Sequence, residues 1–477
     1  MKISTNVPSA GVLLVGASVF FLSLSDYLTL VPLGLLLLAI VGAFWKSVGF
    51  RETLIGLVVL VQMTSGLIER LDERLSLLAP ALLIVLLVMA AIARPKIALP
   101  LPIRLGILGY VTSVAALGVV SMIRGPIFGL HGMYSLLVPI AAVAVGLGRA
   151  GDTGDGRSWW TDPVLCAGAL GLLFNVVLGF RQAIFGLSAE EEAAAVRANS
   201  AYLVGDQARL MGALPTNQDY GLLCALSAPL LLVLCFRETG IRRYLALSGS
   251  VCCLILSWLT LLRGSFIAAV VVCGLMAILP AAGVARRKLP AIAAYLVAVP
   301  AVLVMGYKYL PQSRVEAAVS RTSSLFDLSS DSSFVARDRY TLPIAINAFE
   351  QNIFGAGVGA AGPVSQSYPA VAPYGALIPD NGYLSLAIQI GLIGTVSILI
   401  AIVYAAVVLV RSDGAWGCFG AALIVLLVGF AFGGYWGLLG PISVLGIFVG
   451  IGIRSVTEIS PASSQFGAYR LKSYASA

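Results

Sequence analysis

The chain alternates long apolar runs with short polar breaks. Runs fall near 11–24, 28–45, 53–68, 77–93, 105–123, 132–148 and 163–180, then near 221–236, 245–262, 265–280, 291–309, 383–410, 417–433 and 437–453. A helix crosses hydrocarbon with about 20 mostly apolar residues, so the pattern predicts about 14 spans. Most connections are short and punctuated by Gly, Pro or Ser, as turns require. The exceptions are 181–220 and 310–382. They divide the chain into N-terminal spans over 1–180, a first outer loop 181–220, central spans 221–309, a large outer loop 310–382, C-terminal spans 383–453 and a tail 454–477. The first run follows only Lys2, carries no small-x-small cleavage pattern and is followed at once by another run. The two therefore read as a hairpin and not as a cleaved signal.

Composition narrows the class. Of 477 residues 59% are hydrophobic and 11% charged, where soluble domains average about 25% charged. A soluble enzyme, a disordered regulator and a disulfide scaffold are excluded together. What remains is an all-α polytopic membrane protein of about 12–14 transmembrane helices with two long extracytoplasmic loops. The net charge of +8 comes from short clusters between apolar runs, with no basic stripe of the kind nucleic acid demands. Counted on alternate sides, 18 of the 30 Lys and Arg collect on one side, in short loops and the two termini. Short loops set orientation, so both termini read as cytoplasmic and both long loops as outside. The seven cysteines lie in or beside apolar runs, and His131 is the single histidine, in an outer-side turn. Neither a disulfide framework nor a zinc site is supported.

Ionisable groups near membrane depth are costly and mark function by default. Arg263, in Leu261-Leu262-Arg263-Gly264-Ser265, stands between two apolar runs; it is either an interfacial arginine or part of a site. The first long loop holds Glu190-Glu191-Glu192, which reads as a solvated face, and ends Arg209-Leu-Met-Gly212 with Pro215, Asn217 and Asp219, where Asn217 or Asp219 can cap the next helix. The second carries Arg314, Arg321, Asp327, Asp331, Arg337, Asp338, Arg339 and Tyr340, then the turn Gly355-Ala-Gly357-Val-Gly359 and Asp380-Asn381 at the mouth of a span. No strand precedes the glycines, so tight turns, or amides approaching an anion, explain them better than a nucleotide fold. Asp380 is either an N-cap or a carboxylate aimed into a cavity lined by Arg263, Arg337 and Arg339. Guanidinium groups hold phosphate bidentately, and one carboxylate can accept a hydroxyl proton. That chemistry describes glycosyl transfer from a lipid diphosphate sugar.

At these residues the chain resembles the O-antigen ligase and Wzy-type polymerase superfamily of bacterial envelope glycosyltransferases. The resemblance rests on Arg209-x-x-Gly212 with Pro215 and Asn217, on Arg263-Gly264-Ser265, and on Arg337 or Arg339 leading to the glycine turn. It rests also on Asp380-Asn381 followed, nine residues on, by Gly391-Leu-Ile-Gly394. Asp380 stands where the ligases carry histidine, an arrangement more like the polymerases of exopolysaccharide or capsule assembly. The resemblance implies a GT-C-like membrane fold in a bacterial inner membrane. It also implies inverting transfer from an undecaprenyl-diphosphate-linked oligosaccharide to a glycan acceptor on the periplasmic side. No nucleotide sugar, cofactor or metal is implied. Arg263, Arg337, Arg339 and Arg209 would bind the diphosphate. Asp380 would orient or deprotonate the acceptor, Asn381 would hold its position, and Asn217, Tyr340 and Gly357 would be further substrate contacts. A chain-length regulator and a flippase are the implied partners beside the bilayer. A ligase acting on a lipid A core or protein is the first alternative, and a lipid-linked oligosaccharide flippase the distant one.

Overall fold

The computed structural model describes residues 50–71, 78–92, 99–148, 162–197, 203–204, 207–278, 310–324, 337–412 and 415–474, with a few isolated positions between 292 and 335. The expected spans 11–24 and 28–45, nearly all of 291–309, and Asp327 and Asp331 lie outside the described residues.

The first half runs α1 (Phe50–Met63), α2 (Ser65–Leu71), α3 (Leu78–Ile92), α4 (Leu101–Arg124), α5 (Pro126–Leu147), α6 (Pro163–Phe185) and α7 (Ala189–Arg197). A two-residue hairpin follows, β1 (Leu203–Val204) against β2 (Gln207–Ala208). Then come α8 (Asn217–Arg237), α9 (Ile241–Leu259), α10 (Arg263–Ile278), α11 (Gln312–Ser323), a π turn at Arg337–Thr341, α12 (Leu342–Gln351), α13 (Pro363–Ser367), α14 (Gly382–Arg411), α15 (Cys418–Phe430) and α16 (Leu439–Tyr474). Six of the described helices are long and apolar enough to cross a membrane: α4, α5, α6, α8, α14 and α16 over Leu439–Thr457. The protein is an all-α polytopic membrane protein. Helix α16 continues to Tyr474, through most of the stretch read as the tail.

Small residues let the helices approach. A Cβ on Gly106 would stand 2.5 Å from the Ser397 carbonyl oxygen, and one on Gly394 2.8 Å from Ser113 Cβ, so α4 and α14 share a close seam. Without a hydrophobic drive inside lipid, such close van der Waals contact is what holds membrane helices together. Gly129 and Gly132 do the same on α5. A Cβ there would meet the Met122 amide nitrogen at 2.6 Å and the Val358 carbonyl carbon at 2.7 Å. The sequence placed His131 in an outer-side turn, yet α5 begins at Pro126, directly after the corner at Gly125. His131 is therefore a helix residue, edge-on to Tyr368 with ring centroids 5.8 Å apart. Helix starts follow cap chemistry: Asp162 accepts from Val164 N and Leu165 N, and Thr216 accepts from Asp219 N while donating to its carboxylate at 2.6 Å. The cap of α8 is thus Thr216, and neither Asn217 nor Asp219.

Glu191 departs most from expectation. It is buried, while Glu190 and Glu192 are exposed. Its carboxylate holds Arg70 Nη1 at 2.9 Å, Arg181 Nη1 at 2.6 Å and Gln182 Nε2 at 2.8 Å, and accepts from Ser188 N. The helical repeat turns one glutamate of three inward, where α2 and α6 supply its countercharges.

Removing one partner of a buried charge set strands the others, at about 3–5 kcal/mol. Glu191→Ala should therefore lower the Tm of the purified protein by many degrees in a detergent thermal-shift measurement, whereas Glu190→Ala should leave it unchanged. Equal Tm values for the two variants would sink the clamp.

Candidate active site

The segment that presents Arg209 is built from below. Leu210, Met211, Ala213 and Leu214 are buried. The Gln182 Oε1 oxygen accepts from Met211 N and Gly212 N at 3.0 and 2.9 Å, and Asn175 Oδ1 accepts from Ala213 N. Arg70 Nη2, already fixed by Glu191, donates to the Gly212 and Leu214 carbonyls. Asn175 also donates to the Met63 carbonyl, where α1 breaks before α2. These links are hydrogen bonds closed inside the protein between buried and half-buried groups, which is what makes the segment rigid. Arg209 follows β2, whose Ala208 carbonyl accepts from the buried Arg314 Nη1 at 2.9 Å. Helix α11 is thereby tied to Arg209.

Arg263 opens α10 after a tight reversal in which the buried Leu261 sits at φ 61°. For a non-glycine residue that conformation costs roughly 1–2 kcal/mol, held here by the surrounding packing. Ser265 is buried against α8, where a Cβ on Gly221 would touch Leu262 and Ser265. A larger residue at 265 would push the helices apart. Arg263 Nη1 donates to Ser324 Oγ at 2.9 Å, and Trp258 Nε1 donates to Thr322 Oγ1 at 2.9 Å. Both bonds fasten the C-terminal end of α11. Arg314 and Arg321 are two helical turns apart, so they share a face of α11, one anchoring it and the other near the arginines.

Asp380 is released from capping. Asn381 caps α14 by accepting from Leu384 N at 3.0 Å, and Asp380, one residue earlier, accepts from Arg337 Nε at 2.7 Å. Both partners are more than a third exposed, so the pair contributes only about 0–1 kcal/mol. Arg337 heads the π turn, and successive residues of such a turn point in different directions. Arg339 and Tyr340 are exposed beyond it. Asn217, by contrast, is buried at the start of α8.

These arginines act on one another. Burial, followed by the charges of Arg321, Arg337 and Arg263, pushes the Arg209 guanidinium down to about 10. It remains a cation at neutral pH, in a field that an anion would relieve. Among the described residues its buried Nε has no hydrogen-bond partner. Guanidinium groups so gathered can receive a multiply charged anion, with a carboxylate at the rim. Among the described residues no three His, Cys, Asp or Glu side chains gather as metal ligands. Arg321, named in the second loop but given no role there, joins the group; its spacing from Arg314 was the available signal.

The glycine turn supports the rim without facing it. Helix α14 breaks at Gly391, at φ 71°. The carbonyls of Ile388 and Gln389 accept instead from Ala356 N at 2.7 Å and Gly357 N at 3.3 Å, and Leu392 N donates to the Ile353 carbonyl at 2.9 Å. Gln389 Oε1 takes Gly359 N, Ser121 Oγ donates to the Val358 carbonyl, and Arg124 Nη1 to that of Ala356. Gly355, Gly357 and Gly359 all hold positive φ, at 102°, 115° and 82°. A Cβ on Gly391 would stand 2.4 Å from the Phe354 carbonyl. The Gly357 amide is thus engaged by Gln389, and that residue serves as a turn-former and not as an N–H donor to a ligand.

Inorganic pyrophosphate should raise the Tm of the wild-type protein, because it binds only the folded cluster. Arg209→Gln should raise the Tm of the unliganded protein, by relieving repulsion, and shrink the pyrophosphate shift. A variant with an unchanged shift would remove Arg209 from the anion site.

No curated protein matches the chain. A family model described as O-antigen ligase matches residues 248–399, a stretch that begins inside α9 and ends inside α14. Arg209 and the Glu191 clamp precede it. The matched stretch carries Arg263, Arg321, Arg337, Asp380 and the Gly391 break, and in it the chain is similar to the O-antigen ligase family.

Proposed function

We propose that the protein is a polysaccharide polymerase that joins undecaprenyl-diphosphate-linked oligosaccharide repeats on the periplasmic face of a bacterial inner membrane. The observation that carries this reading is the convergence of Arg209, Arg263, Arg321 and Arg337 beside the uncapped Asp380, within a region matching the ligase family. The donor diphosphate lies among the arginines. The acceptor hydroxyl binds Asp380 and attacks the donor's anomeric carbon from the side opposite the diphosphate. The new glycosidic bond forms as the bond to the diphosphate oxygen breaks, inverting the centre. The leaving lipid diphosphate keeps the electron pair, and its charge is met by guanidinium groups, so the transfer proceeds without a metal. The hydroxyl proton passes to Asp380 and then to water. Arg337 bridges the two halves. In the empty site it holds Asp380, and a donor diphosphate competes for the same guanidinium, freeing the carboxylate for the acceptor.

The periplasmic assignment rests on the positive-inside count. It is supported by the opposite placement of short-loop arginines: Arg237 donates to the Val410 carbonyl and Arg454 to that of Leu147, both at the end away from the cluster. The polymerase reading over a ligase rests on Asp380 in place of histidine. A ligase remains the second reading, favoured by the description of the matching family.

Purified protein given a lipid-diphosphate oligosaccharide in detergent, with no other acceptor, should yield a ladder of repeats. Transfer that occurs only on adding a lipid A core or protein acceptor would overturn the polymerase in favour of the ligase. Asp380→Asn should lower kcat by about 100-fold or more, the usual loss for a positioned proton acceptor, with the Tm within a degree or so of wild type because the Arg337 pair is weak. Near-normal polymer from Asp380→Asn would end its catalytic role.

A further inference from the structure

The segment from α12 to Phe354 carries apolar side chains that the other described residues leave uncovered. Its inner side is closed: Ala345 and Ala348 pack with Ala356, Ala360, Ala361, Leu377 and Ile388. Its outward face is polar, with Asn347, Glu350 and Gln351 exposed. At its flanks and tip, however, Ile344, Ile353 and Phe354 are exposed, Phe354 to 79%. Exposed apolar groups gathered this closely mark an interaction surface.

Depth and continuity identify what covers it. A Cβ on Gly355 would meet Leu117 Cδ1 at 2.6 Å and the Gly391 amide at 2.7 Å, so the tip stands level with Leu117 on α4 and Gly391 on α14. Leu117 precedes the Arg124 end of its helix by seven residues, or about 10 Å at 1.5 Å per residue. Gly391 lies nine residues inside the start of α14, about 14 Å on the same scale. The tip is therefore well below the helix ends. Alongside it, Leu392, Ile393 and Val396 form an exposed apolar stripe on α14. The bond from Leu392 N to the Ile353 carbonyl joins that stripe to the tip. On a membrane-spanning helix such a stripe faces acyl chains.

We propose that the Ile353–Phe354 tip is inserted among the acyl chains of the leaflet on the side of the arginine cluster, with α12 lying at the interface and Asn347, Glu350 and Gln351 toward the headgroups. The occupant of the uncovered patch is the bilayer itself. Because the π turn that carries Arg337 runs straight into α12, the inserted tip fixes the height of the Arg337–Asp380 pair relative to the phosphate layer. The inference rests on packing and depth alone, and it stands or falls independently of the transferase reading.

The test uses the full chain in lipid nanodiscs. Phe354→Cys, Ile353→Cys and Asn347→Cys variants each receive an environment-sensitive NBD label, and the signal from labelled wild type, which carries the native cysteines, is subtracted. Labels at 354 and 353 should be quenched several-fold more strongly by doxyl lipids than the label at 347, and shielded from iodide, while the label at 347 should be quenched by iodide. A label at 354 as open to iodide as that at 347 would overturn the insertion. Shielding of 354 from both quenchers would overturn it too, because protein and not lipid would then cover the tip.

Discussion

Inside a bilayer every backbone N–H and C=O must find its partner within the protein, since no water is there to supply one. Helix α14 breaks that continuity at Gly391, and the carbonyls it frees are taken by the amides of Ala356 and Gly357. The glycine turn is therefore the missing piece of a spanning helix. Much of the site depends on this substitution. The turn fixes where α12 ends, α12 fixes the π turn, and the π turn aims Arg337 at Asp380, two residues before the start of the same broken helix. Two glycine-bearing stretches far apart in the chain thus form one joint, and neither makes structural sense without the other.

The hydrophobic pattern made the helical class and most described spans legible, because a run of some 20 apolar residues has few other fates. What it did not disclose is the role of glycine. In soluble chains glycine punctuates, and the stretch around His131 was read as a turn. In a membrane bundle the same residue marks where two backbones come closest, so a presumed loop proved to be the first turns of α5. Caps were legible as a set but not by position. Thr216 and Asn381 do the work assigned to their neighbours, and a one-residue shift decides whether Asp380 is structural or chemical. Glu191 was illegible for a further reason: nothing local distinguishes it from Glu190 and Glu192, and only the distant Arg70 and Arg181 select it for burial.

The arginine cluster sets stability against use. Gathering like charges around a partly buried guanidinium is unfavourable in the empty protein: burial first, and then the neighbouring arginines, disfavour the charged form of Arg209, which stays a cation at neutral pH. Rigid supports on every side, the Gln182 and Asn175 bonds under Gly212, the Arg314 tie and the Ser324 contact, stop the cluster from relaxing apart. A ligand that neutralises the charge meets donors already oriented, so little reorganisation accompanies its binding.

The clamp under Arg209 bears on modularity. The stretch that matches the ligase family contributes three of the clustered arginines and Asp380, but Arg209 and its supports on α2, α6 and α7 lie ahead of it in the chain. The matched region is therefore not a portable cassette. Grafted onto another membrane scaffold, it would bring an incomplete arginine cluster and leave the host to supply the remaining cation at the right height and angle. Exchange among such proteins is constrained to move the two halves together, or to change only what lies outside both.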